Sequence, residues 1–142
     1  GEYELTRRGR VSTLDLKISS EQVRDALVRV AIACRDAFNF DVDGIDRNVS
    51  LLTYEKTDFF NWHADAGMGN FRHRKLVVSI QLSSETDYDG GDLEFFPRDS
   101  RRSRRARGTV TCFSPFVIHR VTPVTRGQRK AAVFWLTGPP FR

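Results

Sequence analysis

The chain has 142 residues, of which 39% are hydrophobic and 29% charged, and its net charge is +5 at pH 7. This length predicts one domain over residues 1–142, and no apolar run reaches the roughly 18 residues of a membrane-spanning helix. No signal-peptide pattern opens the chain, and since its single methionine is Met68, we expect that N-terminal residues of a longer protein are missing.

Two segments open the predicted fold. Residues Val11–Ile18 alternate apolar and polar side chains, which predicts a strand. Residues Glu21–Phe38 predict a helix, because their apolar side chains recur at helical spacing on one face. Ser19 and Gln22 match the capping box that begins many helices. An amphipathic helix must cover another apolar surface, so a sheet is expected beneath it.

After the helix, the sequence indicates only β structure. The candidate strands are short and are separated by Gly and Pro residues, which favours a sandwich or barrel over alternating βαβ units. We therefore predict a mainly β fold, a double-stranded β-helix (jelly-roll) barrel with the one N-terminal helix packed outside. The predicted strands are Val49–Tyr54, Asn61–Asp65, Leu76–Ser83, Leu93–Phe96, Thr109–Phe113, His119–Val124 and Arg129–Leu136.

The predicted strand Leu76–Ser83 indicates how the barrel interior is lined. Alternate residues of a strand share a face, and one face should pack against the helix or the opposing layer. That face carries Leu76, Val78, Ile80 and Leu82. The other face carries Val77, Ser79 and Gln81. An interior lined with Ser and Gln is costly unless it holds something polar, so a ligand cavity is expected there.

The two cysteines, Cys34 and Cys112, lie inside apolar segments rather than in turn-rich loops. A small secreted domain held by disulfides normally has more cysteines than this. We therefore expect two buried thiols in a reducing compartment, which favours a cytoplasmic protein.

An arginine-rich segment, PRDSRRSRRAR, carries six arginines and one aspartate between Arg98 and Arg107. Such a run could hold phosphates or an acidic partner. A solvated loop whose charges repel and keep it mobile is favoured, because no aromatic residues interleave with the arginines to stack bases. Nucleic acid is therefore not an expected partner.

A candidate metal site is indicated by NWHADAG, which places His63 and Asp65 two residues apart. On a strand these residues project from the same face, so imidazole and carboxylate can converge on one ion. His119, at the start of a later predicted strand, is the natural third ligand. Two imidazoles and one carboxylate are typical of non-haem Fe(II) oxygenases. His73 lies among basic residues in a predicted loop and is expected to be solvated.

A dianionic co-substrate would need a positive anchor near this metal. Arg129 lies ten residues beyond His119, after a predicted turn at Thr125–Gln128, and its planar guanidinium matches a carboxylate. Lys130 would face the other side, and alternation leaves open which of the two points inward, because the following residues are apolar on both faces. Tyr54, on the strand before His63, could also reach the carboxylate.

From Val49 to Arg142 the chain resembles iron(II)/2-oxoglutarate-dependent dioxygenases of the prolyl 4-hydroxylase-like group, and within it the PKHD-type hydroxylases of bacteria and phages. The resemblance rests on LLTYEKTDFFNWHAD, on RKLVVSIQLS followed by YDGGDLEFFP, and on GTVTCFSPFVIHRVTPVTRGQRKAAVFWLTGPPFR. The motifs HxD, YxGG(D/E)L and HxVxPVxxGxR occur in this order, and their joint occurrence is far more specific than any one of them.

The resemblance implies roles for the candidate residues. His63, Asp65 and His119 would bind Fe(II), and Arg129, rather than Lys130, would pair with the distal carboxylate of 2-oxoglutarate. Collagen-type enzymes of the group have lysine where this chain has Arg129, so a collagen-like substrate is not implied.

Further residues carry over by position in the motifs. Tyr54 would contact the co-substrate, Ser79 and Gln81 would line the same pocket, and Arg74 would contact a peptide substrate, as in some prolyl hydroxylases. The implied reaction consumes O2 and 2-oxoglutarate, releases succinate and CO2, and hydroxylates an amino acid or a peptidyl residue, with proline among the candidates. Ascorbate is a candidate reductant.

Three other functions stay open on the sequence. A nucleic-acid demethylase of the same barrel class would use the arginines against phosphates, but that group typically carries a second arginine shortly after the co-substrate arginine, and Val133–Leu136 offers none. A cupin-like metal enzyme that does not use 2-oxoglutarate would not need Arg129. A metal-free binding module would use the basic segment alone. No pattern in the chain indicates an oligomeric state.

Overall fold

A computed structural model of the chain describes residues 6–67, 69–97 and 102–141. Within these residues the chain forms one α-helix, α1 (Glu21–Ala37), one 3₁₀ helix (Gly69–His73) and twelve strands. The strands, in chain order, are β1 Arg7–Arg8, β2 Arg10–Asp15, β3 Gly44–Ile45, β4 Asn48–Tyr54, β5 Phe59–His63, β6 Arg74–Gln81, β7 Tyr88–Gly90, β8 Leu93–Phe95, β9 Val110–Phe113, β10 His119–Val121, β11 Val124–Gly127 and β12 Arg129–Thr137.

The strands form two antiparallel sheets with one cavity between them. The major sheet has the order β2-β4-β12-β6-β9, and β3 pairs with the far end of β12. The minor sheet has the order β1-β5-β10-β8, and β11 and β7 form a separate two-stranded ribbon. Side chains of both sheets line the same cavity. The predicted mainly β, jelly-roll architecture is confirmed.

Helix α1 packs on the outer face of the major sheet, as predicted. Its buried residues Leu27, Ala31 and Cys34 lie against side chains that point away from the cavity. These sheet residues are Val49, Leu76, Val78, Ala132, Phe134 and Leu136. Because side chains alternate along a strand, the neighbouring residues of β12 and β6 point into the cavity instead. The apolar layer under the helix therefore fixes which residues line the site.

The start of α1 differs from the predicted capping box. Ser20 is the N-cap, and its hydroxyl accepts a hydrogen bond from the backbone N–H of Val23 at 3.2 Å. Ser19 instead donates its hydroxyl to the carbonyl of Leu16 at 3.0 Å. The predicted pairing of Ser19 with Gln22 is therefore wrong, because Ser19 belongs to the turn that follows β2.

Replacing Ser20 with alanine is expected to lower the free energy of unfolding by about 1 kcal/mol, because an N–H in the first turn loses its acceptor. Ser20→Asp is the matched control, since aspartate caps a helix about as well as serine. Chemical denaturation of the three proteins measures the difference. Equal stability of the alanine and aspartate variants would show that Ser20 does not cap α1.

Two predicted strands end earlier than expected because the backbone turns. After β2, the N–H groups of Ile18 and Ser19 both donate to the carbonyl of Asp15, and Ile18 is 83% exposed. After β6, Leu82 and the next residue both donate their N–H groups to the carbonyl of Lys130. This irregularity leaves Leu82 43% exposed, so the expectation that it packs on the helix face is wrong.

The predicted strand His119–Val124 and the predicted turn Thr125–Gln128 are also wrong in detail. The first strand ends at Val121, and the turn is largely strand β11, which pairs with β7. Gly127 has a φ of +74°, and a Cβ placed on it would lie 2.0 Å from the carbonyl oxygen of Asp87. The sequence suggested a turn because glycine usually marks one, but here it permits two strands to approach closely.

Cys34 is buried and Cys112 is half-buried, and both are free thiols, as expected. Cys112 packs against the apolar cluster that contains Cys34, between α1 and the major sheet. In the part of the chain that the structure describes, no helix has the length and apolarity needed to cross a membrane.

Candidate metal centre

The two histidines of the predicted metal site meet across neighbouring strands. His63 of β5 and His119 of β10 are directly paired in the antiparallel register. The Nδ1 atom of His63 lies 2.7 Å from the carbonyl oxygen of Asn61, and that of His119 lies 2.9 Å from the carbonyl oxygen of Val117. A carbonyl only accepts hydrogen bonds, so each Nδ1 carries a proton, and Nε2 is the ring nitrogen that faces Asp65.

Asp65 also lies beside the two histidines, but it approaches them from a loop and not, as predicted, from the face of a strand. It lies beyond the end of β5, where its backbone N–H donates to the carbonyl of Pro115 at 2.9 Å. Its Oδ2 accepts a hydrogen bond from Nε1 of Trp135 at 2.9 Å. Its Oδ1 lies 3.4 Å from Nε2 of His63 and 3.4 Å from Nε2 of His119. A loop and an indole, not strand alternation, bring this carboxylate to the histidines.

The geometry of the three side chains fits a single metal ion. Their donor atoms all lie within 4.8 Å of one another, and no further His, Cys, Asp or Glu of the described residues joins the group. Donors about 2.1 Å from one ion lie at most about 4.2 Å apart, and the two 3.4 Å distances from Oδ1 of Asp65 meet this limit. Two imidazoles and one carboxylate on one side of the ion leave its other positions open for exogenous ligands.

The protonation states also suit a metal. Burial raises the pKa of Asp65, but hydrogen bonds from His63 and Trp135 and the field of His119 outweigh it, so the pKa lies below its ordinary value. Burial lowers the pKa of His119. At neutral pH, Asp65 is therefore a carboxylate and His119 a neutral imidazole, which are the forms that bind metals.

Beside these residues lies a cavity of about 510 Å³. Arg129, the first residue of β12, faces it and is 4% exposed, whereas Lys130 points outward and is exposed. No carboxylate of the described residues lies within ion-pairing distance of Arg129. A buried cation without a partner is costly, so this position is built for an anion.

Tyr54 lies directly opposite Arg129 in the pairing of β4 with β12, and the guanidinium carbon lies 5.7 Å from the centre of its ring. Its hydroxyl is buried and has no hydrogen-bond partner among the described residues. Burial raises the pKa of Tyr54, which keeps the hydroxyl protonated and able to donate. An arginine without an acidic partner and a tyrosine hydroxyl without a hydrogen-bond partner form a site suited to a carboxylate.

The structure separates the two polar residues predicted on β6. Ser79 lines the cavity. Gln81 is buried behind Arg129 and is not part of the lining: its Oε1 accepts a hydrogen bond from Nε of Arg129 at 3.3 Å. Direct contact of Gln81 with a ligand in the cavity is therefore not supported.

Arg74 lies on the cavity wall next to the metal group. Its guanidinium carbon lies 3.9 Å from the ring centre of Phe71 and 3.8 Å from that of Trp135, and its Nη1 donates to the backbone carbonyl of Asp65 at 3.2 Å. Burial lowers the pKa of Arg74. His73 next to it is exposed, as expected, and its Nδ1 lies 3.3 Å from the carbonyl oxygen of Gly138.

In the described part of the arginine-rich segment, arginines form ion pairs with acidic side chains, which the charge of the segment alone did not predict. Residues 98–101 lie outside the described residues, but Arg105 pairs with Asp92 at 2.7 Å and Arg102 pairs with the same carboxylate at 3.5 Å. Arg107 lies 3.7 Å from Asp87. Arg102 and Arg107 are exposed, as expected of a solvated segment. The expectation that the charges only repel one another is wrong for these residues, because acidic partners come from the neighbouring β7–β8 region.

Comparison with known proteins adds a family match. The family described as the 2OG-Fe(II) oxygenase superfamily matches residues 49–137. A PKHD-type hydroxylase of Idiomarina loihiensis is 28% identical over 89 residues, which cover 62% of this chain and 41% of the relative. A PKHD-type hydroxylase of Gloeothece citriformis is 26% identical over 123 residues, which cover 82% of this chain and 53% of the relative. The chain thus spans about half the length of these relatives.

Solved structures show the same fold. A prolyl-4-hydroxylase of Pseudomonas putida superposes with a TM-score of 0.75 at 19% identity, covering 96% of this chain and 76% of that one. A viral collagen prolyl hydroxylase from Paramecium Bursaria Chlorella virus-1 superposes with a TM-score of 0.70 at 16% identity, covering 92% and 78%. At these identities the likeness establishes the jelly-roll fold of the chain.

Proposed function

The chain belongs to the 2OG-Fe(II) oxygenase superfamily, and on that premise we propose that it is an iron- and 2-oxoglutarate-dependent hydroxylase of a peptidyl or amino-acid substrate. One observation carries the proposal: the same cavity is lined by a His–Asp–His group, by an arginine without an acidic partner and by a tyrosine whose hydroxyl has no hydrogen-bond partner among the described residues. We also propose that residues 1–142 form one catalytic domain.

In this proposal His63, Asp65 and His119 hold Fe(II). Iron bound with 2-oxoglutarate supplies the chemistry that uses O2 to hydroxylate a C–H bond, with release of succinate and CO2, and ascorbate is the proposed reductant. The chain contributes by orienting its donors, because backbone carbonyls fix both imidazoles and Trp135 fixes the carboxylate. Such partners set the direction and basicity of metal ligands.

Arg129 and Tyr54 are proposed to hold the distal carboxylate of 2-oxoglutarate. The guanidinium offers two parallel N–H donors and the phenol one O–H donor, which matches the acceptors of a carboxylate. Both groups lie deep in the cavity and are almost fully buried. Water is largely excluded from them, so a hydrogen-bonded ion pair there is stronger than one on the surface.

The substrate is proposed to carry a carboxylate and to enter beside Arg74. This arginine is held between two aromatic rings on the cavity wall, and Phe71, one of the two, is half exposed. Two of the solved structures that share the fold are named prolyl hydroxylases, which supports proline as the first residue to test.

A panel of proline-containing peptides with acidic neighbours, neutral peptides and free amino acids tests the proposal. Each is incubated with Fe(II) and 2-oxoglutarate and scored for a gain of one oxygen atom by mass spectrometry and for succinate. Hydroxylation of a carboxylate-bearing member is the expected result. Succinate without any hydroxylated product would reject the substrate class, and no succinate at all would reject the activity.

A nucleic-acid demethylase gains no support from the arginine-rich segment. Three of its described arginines form ion pairs with acidic side chains of the protein itself. Phosphate contacts would have to replace those pairs, so the segment is not a free basic patch.

Replacing Trp135 with phenylalanine is expected to weaken Fe(II) binding by about 10–100-fold, the usual cost of losing a group that orients a metal ligand. The substitution keeps an aromatic ring beside Arg74 but removes the N–H that holds Oδ2 of Asp65. Iron affinity is measured by anaerobic titration. The matched control is Trp62→Phe, whose side chain is not part of the cavity lining. Unchanged iron affinity in Trp135→Phe would contradict the orienting role.

A further inference from the structure

A chain of buried hydrogen bonds connects Arg129 to side chains that the proposed reaction does not use. Its Nε donates to Oε1 of Gln81 at 3.3 Å, and Nε2 of Gln81 donates to the hydroxyl of Tyr88 at 2.8 Å. The three residues are 4%, 5% and 1% exposed, respectively. The two hydrogen bonds fix the amide of Gln81 in one orientation, with its oxygen toward Arg129.

Arg105 of the arginine-rich segment packs on the ring of Tyr88 and donates a hydrogen bond to its backbone. Its guanidinium carbon lies 4.1 Å from the centre of the Tyr88 ring, and its Nη2 donates to the carbonyl of Tyr88 at 2.9 Å. Its Nη1 donates to the carbonyl of Gly90 and to Oδ1 of Asp92, both at 2.7 Å. Every terminal donor of the arginine is thus directed at β7 or at the turn that follows it.

The turn after β7 packs directly on the side chain of Arg129. Gly91 has a φ of +62°, and a Cβ placed on it would lie 3.3 Å from Cδ of Arg129 and 3.3 Å from Cε2 of Tyr88. A side chain larger than hydrogen would therefore press on both. This gives Gly91, the second glycine of the YDGGDL motif, a physical purpose, since it lets the backbone support the stem of Arg129.

We propose that Tyr88 and Arg105 are positioning residues, which act through Gln81 to fix the guanidinium of Arg129 for the distal carboxylate. This inference rests on the proposed function, in which Arg129 binds 2-oxoglutarate. With Nε bound to Gln81, the edge that carries Nη1 and Nη2 is left for a bidentate carboxylate. Gln81 is neutral, so it orients the cation without neutralising it. A flexible arginine would lose rotamer entropy on binding, and the support reduces that loss.

Anaerobic titration calorimetry of the Fe(II)-loaded protein tests the inference with two ligands, 2-oxoglutarate and 2-oxopentanoate, which lacks the distal carboxylate. Tyr88→Phe is expected to weaken 2-oxoglutarate binding roughly three- to tenfold, the range for loss of one buried hydrogen bond. Arg105→Met should weaken it by no more than this, because it removes the contacts that hold Tyr88 but leaves the Tyr88 hydroxyl in place. Binding of 2-oxopentanoate and of Fe(II) should not change. In turnover, the KM for 2-oxoglutarate should rise while kcat at saturation stays the same.

Arg104→Met is the matched control, because Arg104 is an exposed arginine of the same segment, without an ion pair in the described structure. It should bind both ligands like the unchanged protein. Arg105→Lys, which keeps the charge but not the fork, should recover only part of the affinity. Thermal unfolding of each variant shows that it is folded.

Three results would overturn the inference or its premise, and they are distinguishable. If Tyr88→Phe and Arg105→Met bind 2-oxoglutarate normally while Arg129→Leu does not, the support is wrong and the proposed function stands. If a variant loses both ligands equally, its role is general folding and not positioning. If Arg129→Leu keeps full affinity for 2-oxoglutarate, the proposed role of Arg129 itself fails.

Discussion

Replacing Asp65 with alanine is expected to abolish Fe(II) retention and to lower succinate formation by more than about a hundredfold. Loss of a group that only orients a metal ligand costs about 10–100-fold, and loss of the donor itself should cost more. The variant keeps both imidazoles but has no negative charge to offset the ion. In the unchanged protein, Oδ1 of Asp65 lies 3.4 Å from both histidine Nε2 atoms and is the proposed donor that joins them into one site.

Iron content after desalting and succinate release measure this result separately. Asp65→Asn keeps the shape of the side chain and an acceptor for Trp135, so it isolates the contribution of the charge. Asp89→Ala is the control, because Asp89 is an exposed carboxylate paired with Arg126. If Asp65→Ala retains one iron per chain, Asp65 is not a ligand and the proposed centre is wrong.

Much of the fold follows from local patterns in the sequence. The helix is identified by its apolar stripe, and the strand β6 by alternation that places Leu76 and Val78 toward the helix and Ser79 toward the cavity. The ends of strands were harder to predict from the sequence, because they depend on turn hydrogen bonds such as those that the carbonyl of Asp15 accepts. Ribbon pairing of β7 with β11 was missed, since glycine patterns do not distinguish a turn from a close strand pair.

The structure brings His63, Asp65 and His119 together, but not always for the physical reason that the sequence offered. His63 and His119 meet because their strands pair in register, which is a long-range property that spacing cannot reveal. The orientation of Asp65 depends on Trp135, 70 residues further along the chain. Motifs therefore identified the three residues that meet, while the partners that orient them were found only in the structure.

Gln81 and the arginine-rich segment show a second limit of prediction from the sequence. Alternation correctly turns Gln81 inward, but the side chain of Arg129 binds it and keeps it out of the cavity lining. Counting charges in the segment predicted repulsion, because the acidic residue that neutralises Arg105 belongs to another part of the chain. In both cases the outcome was decided by a non-local partner.

Replacing Arg129 with leucine is expected to weaken binding of 2-oxoglutarate by on the order of a hundredfold or more, because two charge-assisted hydrogen bonds of about 1.5–3 kcal/mol each would be lost. Saturating co-substrate should recover part of the turnover, since the metal donors are untouched. Titration calorimetry and the dependence of succinate release on 2-oxoglutarate concentration measure the two effects. Tyr54→Phe should cost less, roughly three- to tenfold, because it removes one neutral donor.

Lys130→Leu is the matched control for this substitution. Lys130 is the next residue, carries the same charge and is exposed on the opposite side of β12, so its loss should leave 2-oxoglutarate affinity unchanged. Arg129→Lys should fall between the leucine variant and the unchanged protein, since lysine restores the charge without the planar fork. This order of affinities would separate geometry from charge at the same position.

The Arg129 series also discriminates between classes of enzyme. A cupin-like metal enzyme that does not use 2-oxoglutarate would keep its activity in Arg129→Leu and would form no succinate at all. A hydroxylase of the proposed kind must lose 2-oxoglutarate affinity but keep iron affinity, because the anion and metal sites share a cavity and no ligand residue. Loss of iron affinity in Arg129→Leu would therefore contradict the separation of the two sites on which the proposed mechanism depends.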